Sequence, residues 1–108
     1  MGYIYFIATK DKIKIGFTKN PVEKRLKQLQ TGNDENLVLL GYILGELEEE
    51  QLLHKQFAKD RIRHNGEWFF PSEELVEYIN KHNAQPNTYV DWVDGRLLPL
   101  LKISKSIY

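Results

Sequence analysis

Two runs of β-branched and aromatic residues open the chain, Tyr3 to Ala8 and Lys12 to Thr18, with a charged turn written TKDK between them. This pattern predicts an antiparallel hairpin. Alternation then divides the second run into two faces. Ile13, Ile15 and Phe17 share one, and Lys12, Lys14, Gly16 and Thr18 share the other. In the first run Tyr3 and Tyr5 fall on a common face. Lysines inside one strand and paired tyrosines inside its neighbour are the features that packing alone leaves unexplained.

The punctuation that follows fixes the next elements. Asn20-Pro21 supplies an N-cap and a proline at a first helical position, and Thr31-Gly32-Asn33 supplies the stop. The apolar stripe between them is Val22, Leu26 and Leu29, with Arg25 on its shoulder. LVLLGYIL, Leu37 to Leu44, is a continuous apolar run of strand length and predicts a central strand covered on both sides. A second helix is expected from about Glu46 to Ile62, then a short aromatic strand in GEWFFPS, then a third helix opened by Ser72 with a stripe of Leu75, Val76 and Ile79. Past Asn83 the character changes. TYVDWVDGRLLPLL predicts a hairpin about Asp94-Gly95, with Pro99 confined to an edge.

With 108 residues the chain is one domain's worth of sequence, and it has no cysteine, which excludes disulfides and thiolate metal sites and fits a reducing, cytoplasmic setting. No apolar run approaches the roughly 20 residues of a membrane span, and no signal-like segment precedes Gly2, so no membrane partner is expected. The formal net charge of zero conceals an asymmetry. Residues 1–30 hold seven Lys/Arg against two Asp/Glu, a local +5, while residues 31–50 hold six acids and no base, a local −6. A basic segment of this kind attracts phosphate even on a neutral molecule. Segregated solvated faces are the bland reading of the same numbers.

The second helix carries an anomaly. At roughly 100° per residue, Leu47, Leu53, Phe57, Ala58 and Ile62 define its inward face, and Glu50, His54 and Arg61 fall within about 40° of one another inside that stripe. A carboxylate on a half-buried face needs a partner, because burying an unpaired charge costs several kcal/mol. The partner is either internal, such as Lys14 or Arg25, or a metal ion.

Taken together the pieces resemble the GIY-YIG nuclease superfamily, and within it the phage T5 open-reading-frame type, also called the meiotically up-regulated gene type. YIYFI stands where the first motif belongs and KIG (Lys14, Ile15, Gly16) where the second does. RLKQLQTG (Arg25 to Gly32), Glu50 with Leu53-His54, and GEWF (Gly66 to Phe69) follow in the family's order. The resemblance covers about residues 2 to 80. It implies an α/β (α+β) fold, a three-stranded antiparallel sheet flanked by three helices. That leaves residues 1–82 as a nuclease-like domain and 83–108 as a C-terminal extension of unknown role.

The resemblance also implies metal-dependent hydrolysis of DNA phosphodiesters. Tyr5 matches the tyrosine of the first motif, Arg25 the arginine of the first helix, and Glu50 the metal-binding glutamate, with Glu67 as the alternative ligand. Tyr3 is the second candidate tyrosine. Two departures matter. Lys14 replaces the tyrosine of the second motif, and no histidine stands one turn after Arg25, so that base or proton shuttle is missing or supplied by His54.

The chemistry fits these residue types. Hydrolysis of a phosphodiester needs a deprotonated water, neutralised charge at phosphorus and a stabilised leaving oxygen. Mg²⁺, or Mn²⁺ in its place, takes oxygen ligands and keeps several waters, so one carboxylate can anchor it. Arg25 can grip phosphate oxygens bidentately. A tyrosine of ordinary pKa about 10 is a poor base at neutral pH, and a nearby ammonium such as Lys14 would lower that value. Trp68 and Phe69 read as core anchors rather than base-stacking platforms. The competing reading is a catalytically degenerate nucleic-acid-binding or regulatory module of the same fold. Zero net charge points to that module, or to a protein partner that delivers DNA.

Overall fold

The opening hairpin forms as the alternation requires. In the computed structural model, which describes residues 1–64 and 66–102, β1 (Gly2–Ala8) pairs antiparallel with β2 (Ile13–Thr18), Tyr3 opposite Thr18 and Ala8 opposite Ile13. The Thr9 amide donates to the Lys12 carbonyl at 2.9 Å and closes the turn. Helix α1 (Val22–Thr31) follows, then β3 (Val38–Gly45), α2 (Leu47–Gln56), β4 (Trp68–Phe69), α3 (Glu73–His82), β5 (Thr88–Val93) and β6 (Arg96–Leu101).

The sheet has four strands in the order β3-β1-β2-β4, all antiparallel, rather than the three expected. The fourth is the two-residue aromatic strand, with Phe69 opposite Ile13 and Trp68 opposite Lys14. A second difference concerns the apolar run at 37–44, which forms an edge strand and leaves β1 central. Cover on both faces makes a strand read as continuously apolar, whatever its place in the order. The open edge of β3 is closed by the segment after α3. There Asn83 Oδ1 accepts from the Tyr42 amide at 3.1 Å, and the Ala84 amide donates to the Tyr42 carbonyl at 2.7 Å.

The two sheet faces bury different layers. Ile4, Phe6, Ile13, Ile15 and Leu40 pack with Phe69, with Leu53 and Phe57 around α2, and with Leu75 and Ile79 of α3. The opposite face is smaller, where Tyr5, Ile7 and Leu37 meet Val22 of α1, with Tyr3, Leu26, Leu29, Tyr42 and Trp68 partly buried around them. Helix α1 begins one residue later than the Asn20 cap would place it, with the Pro21 carbonyl accepting from the Lys24 and Arg25 amides.

Helix α2 is shorter than the expected span, ending at Gln56 before a single 3₁₀ turn, Ala58–Asp60. The wheel therefore cannot be continued to Ile62. That residue is exposed, as are Ala58 and Leu47 of the first turn, while Glu50, Leu53, His54 and Phe57 form the buried face. Helix α3 starts as predicted, with Ser72 Oγ accepting from the Leu75 amide at 3.2 Å.

The last two strands form the expected hairpin. Asp94 (φ 51°) and Gly95 (φ 80°) make its turn, the pair of positive φ values that a two-residue connection of this kind needs. Pro99 stands opposite Val90, whose amide and carbonyl both go to the side chain of Asn80 at 2.6 and 3.0 Å, so the proline breaks no ladder bond. Val90 and Leu97 enter the larger core cluster, which docks the hairpin against α3 and β3. Residues 103–108 of the expected extension lie outside the described residues. Among the described residues no helix is long and apolar enough to cross a membrane.

Candidate functional site

The open edge of β2 is where the charged groups gather. Beyond Lys14 the short β4 no longer pairs with β2. Ile15 uses its two backbone groups to hold what lies there. Its amide donates to the Glu67 carbonyl at 2.9 Å, and its carbonyl accepts from His54 Nε2 at 2.9 Å. A carbonyl can only accept, so Nε2 carries the proton and Nδ1 offers a lone pair. Arg61 Nη2 donates to that lone pair at 3.2 Å, and Arg61 Nε donates to the Gly66 carbonyl at 2.7 Å. Both ring nitrogens are thereby committed, and His54 is held as one neutral tautomer. Its ring lies against Phe69, with centroids 5.2 Å apart.

Glu50 stands one helical turn before His54 and is only 5 % exposed. Its Oε1 is 3.6 Å from His54 Nε2, beyond hydrogen-bond range, and the Nε2 proton already belongs to Ile15. Among the described residues no donor bonds this carboxylate. Burial pushes its pKa above the ordinary 4.5. The nearby Glu67 carboxylate adds to the rise, while the Nε2–H end of the His54 ring, Arg61 and Lys14 pull it back. Among the described residues, the side-chain atoms sealed from solvent without a partner do not include the Glu50 oxygens, so the carboxylate of this buried residue keeps a narrow opening to solvent.

Lys14 and Glu67 form the third component. Lys14 Nζ is 3.0 Å from Glu67 Oε1, with the lysine side chain 15 % exposed. Lys14 also lies 5.4 Å from the centroid of the Trp68 ring, and Lys12 lies 5.3 Å from the same point. On the α1 side, buried Tyr5 sits opposite Gly16, and a Cβ on Gly16 would collide with the phenol. Arg25 Nε approaches the Tyr5 hydroxyl at 3.5 Å.

The structure thus gathers Glu50, His54, Lys14 and Glu67 at one strand edge, and pairs Tyr5 with Arg25 across the neighbouring glycine. It does not join Tyr5 to Lys14. The register sets Ile7 opposite Lys14, and among the described residues no hydrogen bond links the ammonium to the phenol. Tyr3 is apart from both groups, packed edge-on to Tyr42 with ring centroids 5.6 Å apart. Phe69 is a core anchor, whereas Trp68 is only partly buried and carries two lysines. Among the described residues no group of three or more His, Asp or Glu side chains is placed to hold a metal ion. The oxygen donors at this edge are the carboxylates of Glu50 and Glu67.

The sequence places Gly16 in the second motif and Arg61 beside Glu50 and His54 in the polar stripe, without showing what either position does. A glycine inside a strand is a legible sign of close approach by another group. The function of Arg61 depends on a turn that brings the residues after α2 back onto His54.

The family model for the T5orf172 domain matches residues 2–83. The chain belongs to the T5orf172 domain family. This family is linked to GIY-YIG-like nuclease-type domains. The match runs from β1 through α3, takes in every residue of the strand-edge site, and stops short of the β5–β6 hairpin. No curated protein and no solved structure matches the chain significantly. In this T5orf172 domain the site therefore lies wholly within the family's own span.

Proposed function

We propose that this T5orf172 domain is a metal-dependent DNA endonuclease whose scissile phosphate lies along the open edge of β2, beside Gly16. The observation that carries the reading is Glu50, a buried carboxylate with no bonded donor, set at a strand edge between Lys14 and a neutral, immobilised histidine.

Glu50 suits a divalent cation, Mg²⁺ or Mn²⁺, because a hard cation replaces the donors that a buried carboxylate lacks and completes its shell with water. Glu67 is the second oxygen donor within electrostatic reach. When bound, such an ion supplies positive charge for the phosphate oxygens and the departing oxygen.

The chain's own residues do the rest. Arg25 is partly exposed on α1 and offers its guanidinium to the phosphate oxygens while its Nε orients the Tyr5 hydroxyl. Tyr5 is the proton-handling group. In its phenolate form, reached by giving its own proton to solvent, it takes the proton of the attacking water as the new P–O bond forms, and solvent water gives the leaving oxygen its proton as the old P–O bond breaks. Lys14, held by Glu67, adds a fixed positive charge near the phosphate. His54 has no free nitrogen, so it is a positioning residue that locks α2 to β2 and sets the place of Glu50.

A plasmid-nicking assay with Mg²⁺, Mn²⁺ and EDTA tests the reading. Nicking with either ion and none with EDTA is expected. DNA binding without nicking under any of these conditions would replace this reading with the catalytically silent binding module.

A further inference from the structure

Beside the strand-edge site lies a cleft of about 460 Å³, lined by Lys12, Asn33, Glu35 and Trp68 among others. Lys12 and Lys14 stand two residues apart on one face of the chain entering and forming β2, so their stems leave the backbone roughly 6.6 Å apart. That spacing is comparable to the separation of consecutive phosphates along one nucleic-acid strand. Both ammonium groups are held against the same indole, at 5.3 and 5.4 Å from the Trp68 centroid. An aromatic face attracts a cation and fixes its place without neutralising its charge.

The two lysines differ in what else they touch. Lys14 has a close carboxylate in Glu67 at 3.0 Å, whereas Lys12 meets Glu35 at 3.7 Å, with 33 % of the lysine side chain and 49 % of the glutamate side chain exposed. Glu35 is set there by Gln30, whose Nε2 donates to the Glu35 carbonyl at 2.8 Å and whose Oε1 accepts from the Leu37 amide at 2.8 Å. The carboxylate therefore competes with any anion that approaches Lys12.

We infer that Lys12, steadied on Trp68, is a second phosphate subsite. It takes the backbone phosphate adjacent to the scissile one, and Glu35 is the internal anion that the DNA displaces. The inference rests on the proposed function for the position of the scissile phosphate, but its test needs no hydrolysis.

The test is fluorescence anisotropy of the full chain with a labelled short DNA duplex in EDTA, repeated over a series of salt concentrations. Lys12→Ala should weaken binding and reduce the slope of log affinity against log salt by about 1, the loss of one phosphate contact. Trp68→Leu keeps every charge and should still weaken binding about threefold or more, because both ammonium groups lose their seat. Glu35→Gln should tighten binding by freeing Lys12. Lys24→Ala, an exposed cation on α1, should change the slope less than Lys12→Ala does.

An unchanged slope in Lys12→Ala overturns the subsite, as does wild-type affinity in a Trp68→Leu protein whose far-UV circular dichroism is native. Normal nicking together with that unchanged slope would sink the subsite and leave the nuclease intact. The expected slope change in a chain that never nicks would do the reverse.

Discussion

Tyr5 lies across Gly16, opposite it in the β1–β2 pair, so closely that any Cβ on Gly16 would run into the phenol. The missing side chain is what lets a buried tyrosine reach from the central strand toward the edge of the sheet. Gly16→Ala should therefore push the ring away from Arg25. Overpacking of this sort costs about 1–3 kcal/mol, readable as a lower urea midpoint. Nicking should fall further than the loss of folded protein explains, since the hydroxyl is displaced from the guanidinium that orients it. Wild-type nicking by Gly16→Ala would show that the close approach has no catalytic purpose.

Glu50 sets the acid side of the molecule's behaviour. Its pKa lies above the ordinary 4.5 chiefly because burial disfavours the carboxylate. For an acid raised on folding, the native state holds the proton more tightly than the unfolded chain does. The favourable contribution is thus fully present below about 4.5 and is lost as pH rises through the raised value. Glu50→Gln should consequently melt above wild type at neutral pH, with the gap in midpoint shrinking as the pH is lowered through that window. The same variant should fail to bind Mn²⁺ and fail to nick DNA. A gap that is constant with pH would place the Glu50 pKa at its ordinary value, and normal nicking would transfer the metal to Glu67.

Arg61 fixes which nitrogen of His54 carries the proton. The Nη2 donor at 3.2 Å from Nδ1 and the Ile15 carbonyl at 2.9 Å from Nε2 define a single tautomer. Arg61→Met keeps much of the length and removes both donors. It should cost about 1–3 kcal/mol, the usual penalty for a buried acceptor left without its partner. Its distinctive readout is nuclear magnetic resonance of the His54 ring nitrogens. Wild type should show the Nε2–H form with a hydrogen-bonded Nδ1, while in Arg61→Met the Nδ1 resonance should move to the position of an acceptor without a donor. An unaltered His54 spectrum in the variant would dismiss the positioning role.

Much of this arrangement is legible in the sequence, for reasons that differ by element. The hairpins are readable because alternation and turn residues act locally, and the α3 start is readable because Ser72 caps its own helix. The anomalous polar face of α2 is equally plain, since Glu50 and His54 are one turn apart wherever the helix packs. Long-range pairing is what the sequence conceals. The short aromatic strand in GEWFFPS is readable, but nothing local says that it joins β2 as a fourth strand, and nothing in the apolar run at 37–44 says which side of β1 it takes. The same limit hid the partners of the charged residues. Lys14 and Tyr5 share a sheet face, yet the lysine goes to Glu67 just before β4, and the cation that reaches the phenol comes from α1.

That exchange of partners gives the sharpest test of Tyr5. Tyr5→Phe removes one oxygen and leaves the ring over Gly16, so packing is preserved. The only hydrogen bond to the hydroxyl among the described residues is the long 3.5 Å contact from the partly exposed Arg25, and its loss should move the thermal midpoint little. If the hydroxyl handles a proton, the nicking rate should fall roughly 10²-fold or more, the usual scale for a general acid–base group. Arg25→Lys keeps the charge but loses the planar fork that orients the phenol and grips phosphate, and it should lower the rate by a comparable factor. Because both act on the same hydroxyl, the double variant should be little worse than either single one. Lys14→Met stands on a different contact and should lower DNA affinity along with the rate. A Tyr5→Phe protein that nicks at the wild-type rate would return Tyr5 to the core, as a buried ring whose hydroxyl merely lies against Arg25.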